Sequence, residues 1–444
     1  MPRDTAYLCL RSGSPTPLRE VDRFAARRGL DERDAALARR LVGTEIRRRG
    51  TLRAVVAAFV HVKPKADFAT MLRLGIAQLL FLDRVPDHAA ISETVRCASD
   101  HLGLGKGRTA NAVLRGVQRA LHPGASGDPT RDVVGRDLRF DFPVFRDPEA
   151  HPHLWAEDAL SIPGALHKRW AQRMGRATAD ELARLALDEP PLSLRLRGDA
   201  DPEQVRGALA AAGATAHAGR DPRFLLVGAE ESAAALGSAP FHAGDVTVQG
   251  EHAFTAARLL GDVTGRRILD LCAAPGGKTA ALLEGAPAQL VACDLSARRL
   301  DRIRTGFGRL GLPQPHVVAM DRASALADGA RFDGVLVDAP CSNTGVLAQR
   351  PSARWRHGPS SQAELVQLQR GLLRGASEHV VPGGALVHST CSLENEENEQ
   401  QVRAFLQEHP GWELEEEVRS TPAGLESGGP TDGGYAARLR APKG

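Results

Sequence analysis

Along the first 121 residues, apolar side chains return every three or four positions. Leu37, Leu41 and Ile46 form one series, Leu52, Val55, Val56 and Phe59 a second, and Phe68, Leu72, Ile76, Leu79 and Leu80 a third. Each series falls on one face of a 3.6-residue spiral, which predicts amphipathic helices over residues 18–121. Val113, Leu114 and Val117 close the set, and Gly50 and Arg84-Val85-Pro86-Asp87 punctuate it. An all-α domain is therefore expected at 1–128. The stretch His122 to Pro152 is rich in Pro, Gly and Asp. It reads as a linker, assigned to 129–159.

The period then changes. After a helical stretch from Leu166 to Leu187, Leu192 to Leu196 alternates as a strand, Pro202 to Ala212 reads as a helix, and Arg223 to Val227 as another strand. That is a small α/β module at 160–245. Over 246–444 short apolar runs at 267–272, 289–294, 317–321, 332–338 and 385–389 alternate with helical stretches. Parallel strands with crossover helices, a doubly wound Rossmann-like sheet, follow from that order.

Composition narrows the class. Of 444 residues, 42% are hydrophobic and 25% charged, a globular mix. The longest apolar run, Leu74 to Leu82, is too short for a bilayer, and the N-terminus lacks a signal-peptide core. A cytoplasmic protein with no membrane partner is expected. The net charge of +3 conceals an asymmetry. Residues 1–128 carry 22 Lys and Arg against 13 Asp and Glu, and the remainder carries 35 against 41. A basic N-terminal third suits a polyanion, although an Arg-rich proteome would give the same excess. The six cysteines include no CxxC pair and no accompanying pair of histidines, so no metal site is expected.

The first strand of the sheet, Ile268 to Cys272, runs into Ala273-Ala274-Pro275-Gly276-Gly277-Lys278. A glycine turn between first strand and first helix lets backbone approach a ligand closely. The next strand ends in Asp294, where a carboxylate suits the hydroxyls of a ribose, and the following two end in Asp321 and Asp338. The turn is neither GxGxxG nor GxxxxGK[ST], which disfavours a dinucleotide and a P-loop nucleotide. An adenosyl ligand without pyrophosphate fits, and S-adenosylmethionine is the expected cofactor.

Two cysteines stand at strand ends, in Asp338-Ala339-Pro340-Cys341-Ser342 and Ser389-Thr390-Cys391-Ser392. Both should open onto the cofactor crevice, whereas Cys9, Cys97 and Cys293 read as small core residues. A helix start at Glu394 to Glu399 is expected to lower the pKa of Cys391, with its carboxylates partly opposing that effect. The chemistry that wants a thiol here is methylation of cytosine carbon 5. That carbon is too weak a nucleophile until a thiolate adds at carbon 6 and turns the ring into an enamine. Asp338 is placed to assist as an acid near ring nitrogen 3.

These motifs together resemble the RNA cytosine-5 methyltransferase family, whose catalytic domain is a class I methyltransferase fold. The resemblance implies Cys391 as nucleophile and Cys341 as the thiol that helps release product. It also maps Cys272, Ala273, Ala274, Pro275, Gly276, Gly277, Lys278, Asp294, Asp321 and Asp338 onto the family's S-adenosylmethionine contacts. In DNA methyltransferases the Pro-Cys cysteine attacks instead, so Thr390-Cys391 argues for RNA and against DNA. Gly250, Asn343 and Gly434 depart from the family's usual residues. Asp34 to Thr44, Leu74 to Phe81, Val85-Pro86 and Ala110 to Arg115 look like the RNA-binding fold of the antitermination factor NusB. A NusB-like domain fused to this catalytic domain is the layout of the bacterial 16S ribosomal RNA cytosine-5 methyltransferase B group. Naked or partly assembled 16S ribosomal RNA is then the expected substrate, and a monomer the expected state. Transfer RNA is the alternative substrate, and a non-catalytic assembly factor the alternative class. The intact Cys341, Cys391 and Asp338 speak against the latter.

Overall fold

The apolar series of the N-terminal third closes into a helical core. In the computed structural model, which describes residues 1–295, 297–319, 329–424 and 429–443, the chain forms two units. One comprises Met1–Leu187 with Pro351–Gly358, the other Asp188–Arg350 with Pro359–Gly444. Among the described residues no helix is long and apolar enough to cross a membrane.

The first unit opens with helices at Pro2–Arg11, Pro17–Arg27, Glu32–Arg47, Arg49–Phe59, Ala66–Phe81, Asp87–Leu102 and Leu104–Ala120. The helix at Pro2–Arg11 lies outside the expected span. It buries Ala6, Tyr7 and Cys9, but its apolar face is interrupted by Asp4, which is itself buried against Arg96 and His101. Two polar residues inside the core, Gln78 and Glu45, are paired. Gln78 donates to the Leu74 carbonyl at 2.9 Å and accepts from Arg3 at 2.7 Å. Burial alone would raise the pKa of Glu45, but Arg49 and Arg73, at 2.8 and 2.7 Å, reverse that and lower it.

The stretch read as a linker is built structure. Leu121–Pro123 pairs antiparallel with Leu138–Phe140, and a helix follows at Pro152–Ala159. Its Asp and Gly residues make local turns: Asp132 accepts from the Ser126 and Gly127 amides, each at 2.8 Å. Val133, Phe140, Phe145 and Trp155 anchor it by burial. The helices at Gly164–Met174 and Arg176–Leu185 continue this unit, so the boundary falls at Leu187, not at residue 159.

A later segment completes the same unit. Residues 351–358 leave the second unit, form a short 3-10 stretch at Pro351–Arg356, and return. Arg354 is fully buried there and donates to the carbonyls of Ala186 at 2.6 Å and Ser161 at 3.2 Å. Trp355 donates its indole N–H to Ile46 O at 2.8 Å.

The second unit holds two sheets. Leu192–Leu196 is central in a four-stranded antiparallel sheet with Ala216–Ala218, Phe224–Val227 and Val246–Val248. The large sheet has seven strands: β1 (Arg267–Leu271), β2 (Gln289–Asp294), β3 (His316–Ala319), β4 (Phe332–Asp338), β5 (Val380–Thr390), β6 (Glu413–Ser420) and β7 (Gly434–Arg440). Its order is β6-β7-β5-β4-β1-β2-β3, with β1 to β5 parallel and β6 and β7 antiparallel at one edge. The order reverses at β1 and β4, so the ends of these strands flank the crevice where open sheets bind ligands.

Replacing Arg354 by Met should leave the Ala186 and Ser161 carbonyls without their buried donor. A loss of about 3 kcal/mol is expected, seen as an earlier first transition in urea. A transition unchanged from wild type would show that the segment contributes nothing to the unit.

Candidate active site

The glycine turn is shaped by what lies behind it. After β1, Cys272 takes a positive φ of 61° and Gly276 one of 106°. The φ of Gly276 favours glycine, and a Cβ there would also crowd Ile303 at 3.1 Å. The helix Gly277–Leu283 follows. Asp294, fully buried at the end of β2, accepts from the Ala274 amide at 3.0 Å and pairs with Arg299 at 3.0 Å. It therefore braces the turn as well as facing the crevice. Asp321 lies outside the described residues.

Lys278 and Asp338 form an ion pair of 2.8 Å between the turn and the end of β4. Burial pushes the lysine's pKa down, but Asp338 overrides it and the net shift is upward, so Lys278 stays charged.

The two cysteines predicted to share the crevice meet there, with Cys341 Sγ and Cys391 Sγ 3.1 Å apart. Their environments differ. The Cys341 thiol hydrogen-bonds to Cys391 and so lowers the latter's pKa; burial opposes this, and the cations of Arg350 and Lys278 assist it. The same hydrogen bond raises Cys341 well above the ordinary thiol range, with burial and the charges of Cys391 and Glu397 adding to the rise. Asn343, held at φ 62°, accepts from Cys391 Sγ at 3.3 Å and donates to the Cys341 carbonyl at 2.6 Å. Arg350 in turn donates to Asn343 Oδ1. The expected helix start behind Cys391 is not the source of the shift: a 3-10 turn occupies Asn395–Glu397 and the helix begins only at Glu399.

Three residues that the sequence reading did not single out belong to this site. Asp270, fully buried within β1, is pushed up to about 7 by burial, and among the described residues only its Oδ2 is bonded, by Thr279 at 2.6 Å. Its signal was a carboxylate inside an apolar strand. His252 reaches the Thr390 carbonyl at 3.2 Å and Ser420 at 3.1 Å. It explains the departure at position 434, because a Cβ there would collide with the His252 ring. A Cβ at Gly250 would likewise collide with Asp432. Glu397 is the third, buried behind both cysteine loops.

The family model for 16S rRNA methyltransferase RsmB/F matches residues 257–435, and that of the NusB family matches 16–119. A Bacillus subtilis protein, probable ribosomal RNA small subunit methyltransferase B, is 32% identical over 82% of this chain and 79% of its own. The chain belongs to the ribosomal RNA small subunit methyltransferase B family. The family's Pseudomonas putida member is 35% identical over 89% of this chain and 86% of its own. Of solved structures, the PH0851 protein superposes with a TM-score of 0.74 at 22% identity, over 99% of this chain and 98% of its own. NSun6 from Pyrococcus horikoshii gives a TM-score of 0.54 at 21% identity, over 64% of this chain and 99% of its own. Both share the fold. The protein is thus a methyltransferase with a NusB domain ahead of a class I catalytic domain, and its cofactor is S-adenosylmethionine. The residues present suit that group: a glycine turn held at a positive φ at Gly276, and a carboxylate fixed at the end of β2.

Asp270 gives this site a pH signature. Its folded pKa of about 7 lies above the unfolded value of 3.8, so the folded state holds more protons between these values. Stability should fall as pH rises from 4 to 7, by up to about 4 kcal/mol, and then level off. Asp270→Asn, which keeps the acceptor for Thr279, should flatten that slope and unfold later than wild type at pH 8. Urea titrations at pH 5 and 8 check this, and equal slopes would contradict it.

Proposed function

We propose that this enzyme methylates carbon 5 of a cytosine in 16S ribosomal RNA through a covalent adduct between Cys391 and carbon 6. The observation that carries the reading is the unequal thiol pair. The Cys391 thiol is shifted down and that of its neighbour, 3.1 Å away, is shifted up, so Cys391 is the easier of the two to ionise. Relatives named for ribosomal RNA small subunit methylation support the choice of RNA.

The Cys391 thiolate forms the S–C6 bond, and negative charge moves through the ring towards nitrogen 3. The Lys278–Asp338 pair supplies a proton donor and an acceptor for that end of the base. Residues 272–278, Asp294 and Asp338, joined on the sequence reading by Asp321, would hold S-adenosylmethionine, which would supply an electrophilic methyl group for carbon 5 and leave as S-adenosylhomocysteine. Once Cys391 is bonded to carbon its charge is gone, so the strongest cause holding the proton on Cys341 disappears with it. Cys341 can then ionise to solvent and take the proton from carbon 5. The C5=C6 bond re-forms, the S–C6 bond breaks, and Cys391 leaves as thiolate.

The two cysteines should therefore fail differently. Cys391→Ala should abolish methylation and form no adduct. Cys341→Ala should still attack and accumulate enzyme covalently attached to RNA, visible as a slow band under denaturing conditions. Trapping by Cys391→Ala instead would exchange the roles. Bisulfite sequencing of ribosomal and transfer RNA from cells with and without the gene identifies the substrate. A site lost only from transfer RNA would overturn the 16S assignment.

The N-terminal helical domain supplies RNA affinity in this reading. Its helix Leu104–Ala120 has no acidic residue, and Arg108, Arg115 and Arg119 lie exposed on one face. Changing all three to Gln should weaken RNA binding and reduce the slope of log K against log salt by about 2 to 3, because each phosphate contact releases counterions. An unchanged slope would remove that face from the RNA path.

A further inference from the structure

Glu397 is fully buried, and among the described residues no cation lies within ion-pair distance of it. Its carboxylate is satisfied instead by the two cysteine loops. Oε2 accepts from the Ser342 amide at 2.9 Å and from Gln369 at 3.1 Å, and the same Gln369 nitrogen also donates to the Pro340 carbonyl at 2.8 Å. Oε1 accepts from the Ser392 hydroxyl at 3.0 Å, and Ser392 meets the Ser342 hydroxyl at 2.9 Å. Residues directly after Cys341 and directly after Cys391 therefore bond to one carboxylate.

These hydrogen bonds do not need a charge. A glutamine could offer its oxygen to Ser342 and Gln369 and its nitrogen to Ser392, whose hydroxyl can accept. A buried carboxylate without a cation is costly, so its charge calls for a reason of its own. The arrangement of the other charges supplies one. Arg350 and Lys278 act on Cys391, opposed by Asp338, whereas Glu397 acts on Cys341. Arg350 reaches Cys391 through Asn343, and Glu397 reaches the Cys341 loop through the Ser342 amide, across a pair 3.1 Å apart.

We propose that Glu397 is a positioning residue that ties the two cysteine loops together and makes Cys391, rather than Cys341, the more reactive thiol. The inference rests on the two-thiol reading of the reaction and adds the group that breaks the symmetry between the thiols.

The test uses the full-length protein and limiting iodoacetamide between pH 6 and 9.5, with alkylation of Cys341 and Cys391 quantified separately by peptide mass spectrometry. In wild type, Cys391 should react first. In Glu397→Gln the preference for Cys391 should fall about tenfold, the effect of one pH unit in a thiol's ionisation. Glu397→Asp loosens the hydrogen bonds but keeps the charge, and should retain most of the preference. A folded Glu397→Gln protein with wild-type preference would overturn the proposal. Should that variant not fold, equal rates at the two thiols of wild type would overturn it without any variant. RNA methylation is scored separately. A wild-type enzyme that keeps the thiol preference but methylates no cytosine would sink the proposed reaction and leave the role of Glu397 standing.

Discussion

Two sulfur atoms 3.1 Å apart repel strongly if both carry a charge. The architecture around them follows from that constraint. β4 and β5 lie side by side in parallel register, with Asp338 opposite Ser389, and so deliver one cysteine each to the same end of the sheet. The loops beyond those strands are held by hydrogen bonds that cross from one to the other: Gly345 N to the Cys391 carbonyl at 3.0 Å, and Leu393 N to Thr344 Oγ1 at 2.8 Å. With the loops so fixed, the surrounding charges select which sulfur keeps the proton. A looser pair would let solvent take over that choice.

The same neighbourhood carries a half-buried ion pair, Lys278–Asp338, and a carboxyl, Asp270, that burial drives towards neutrality. A third full negative charge close to Asp338 and Asp294 would weaken the site. Raising Asp270 out of the ordinary carboxylate range relieves that repulsion and leaves Thr279 a partner in either state.

Much of this was legible in the sequence, and the exceptions have physical reasons. The parallel strands were visible because each is a short apolar run ending at a functional residue. The edge strand Glu413–Ser420 was not: it is mostly exposed and charged, and is made a strand by β7 beside it. The supposed linker had loop composition, and only the burial of Phe140, Phe145 and Trp155 reveals it as part of a unit. In the site, Cys341 and Cys391 announced themselves by their strand-end positions. Glu397 and His252 did not, because their significance lies in contacts with residues far away in sequence. Glu397 also sat within a run of carboxylates, Glu394 to Glu399, that reads as a solvated helix start.

The excursion of residues 351–358 bears on the order in which the protein can be made. A ribosome has finished Leu187 long before it reaches Arg354, yet the Ala186 and Ser161 carbonyls that Arg354 satisfies belong to that early part. During synthesis the helical unit therefore lacks the guanidinium that bonds these two carbonyls. By the time Arg354 is added, β4 and the Cys341 loop have already emerged. The N-terminal unit thus attains its final stability only after the catalytic loop exists, and truncations anywhere between Leu187 and Gly358 should yield a helical unit that is folded but weakened.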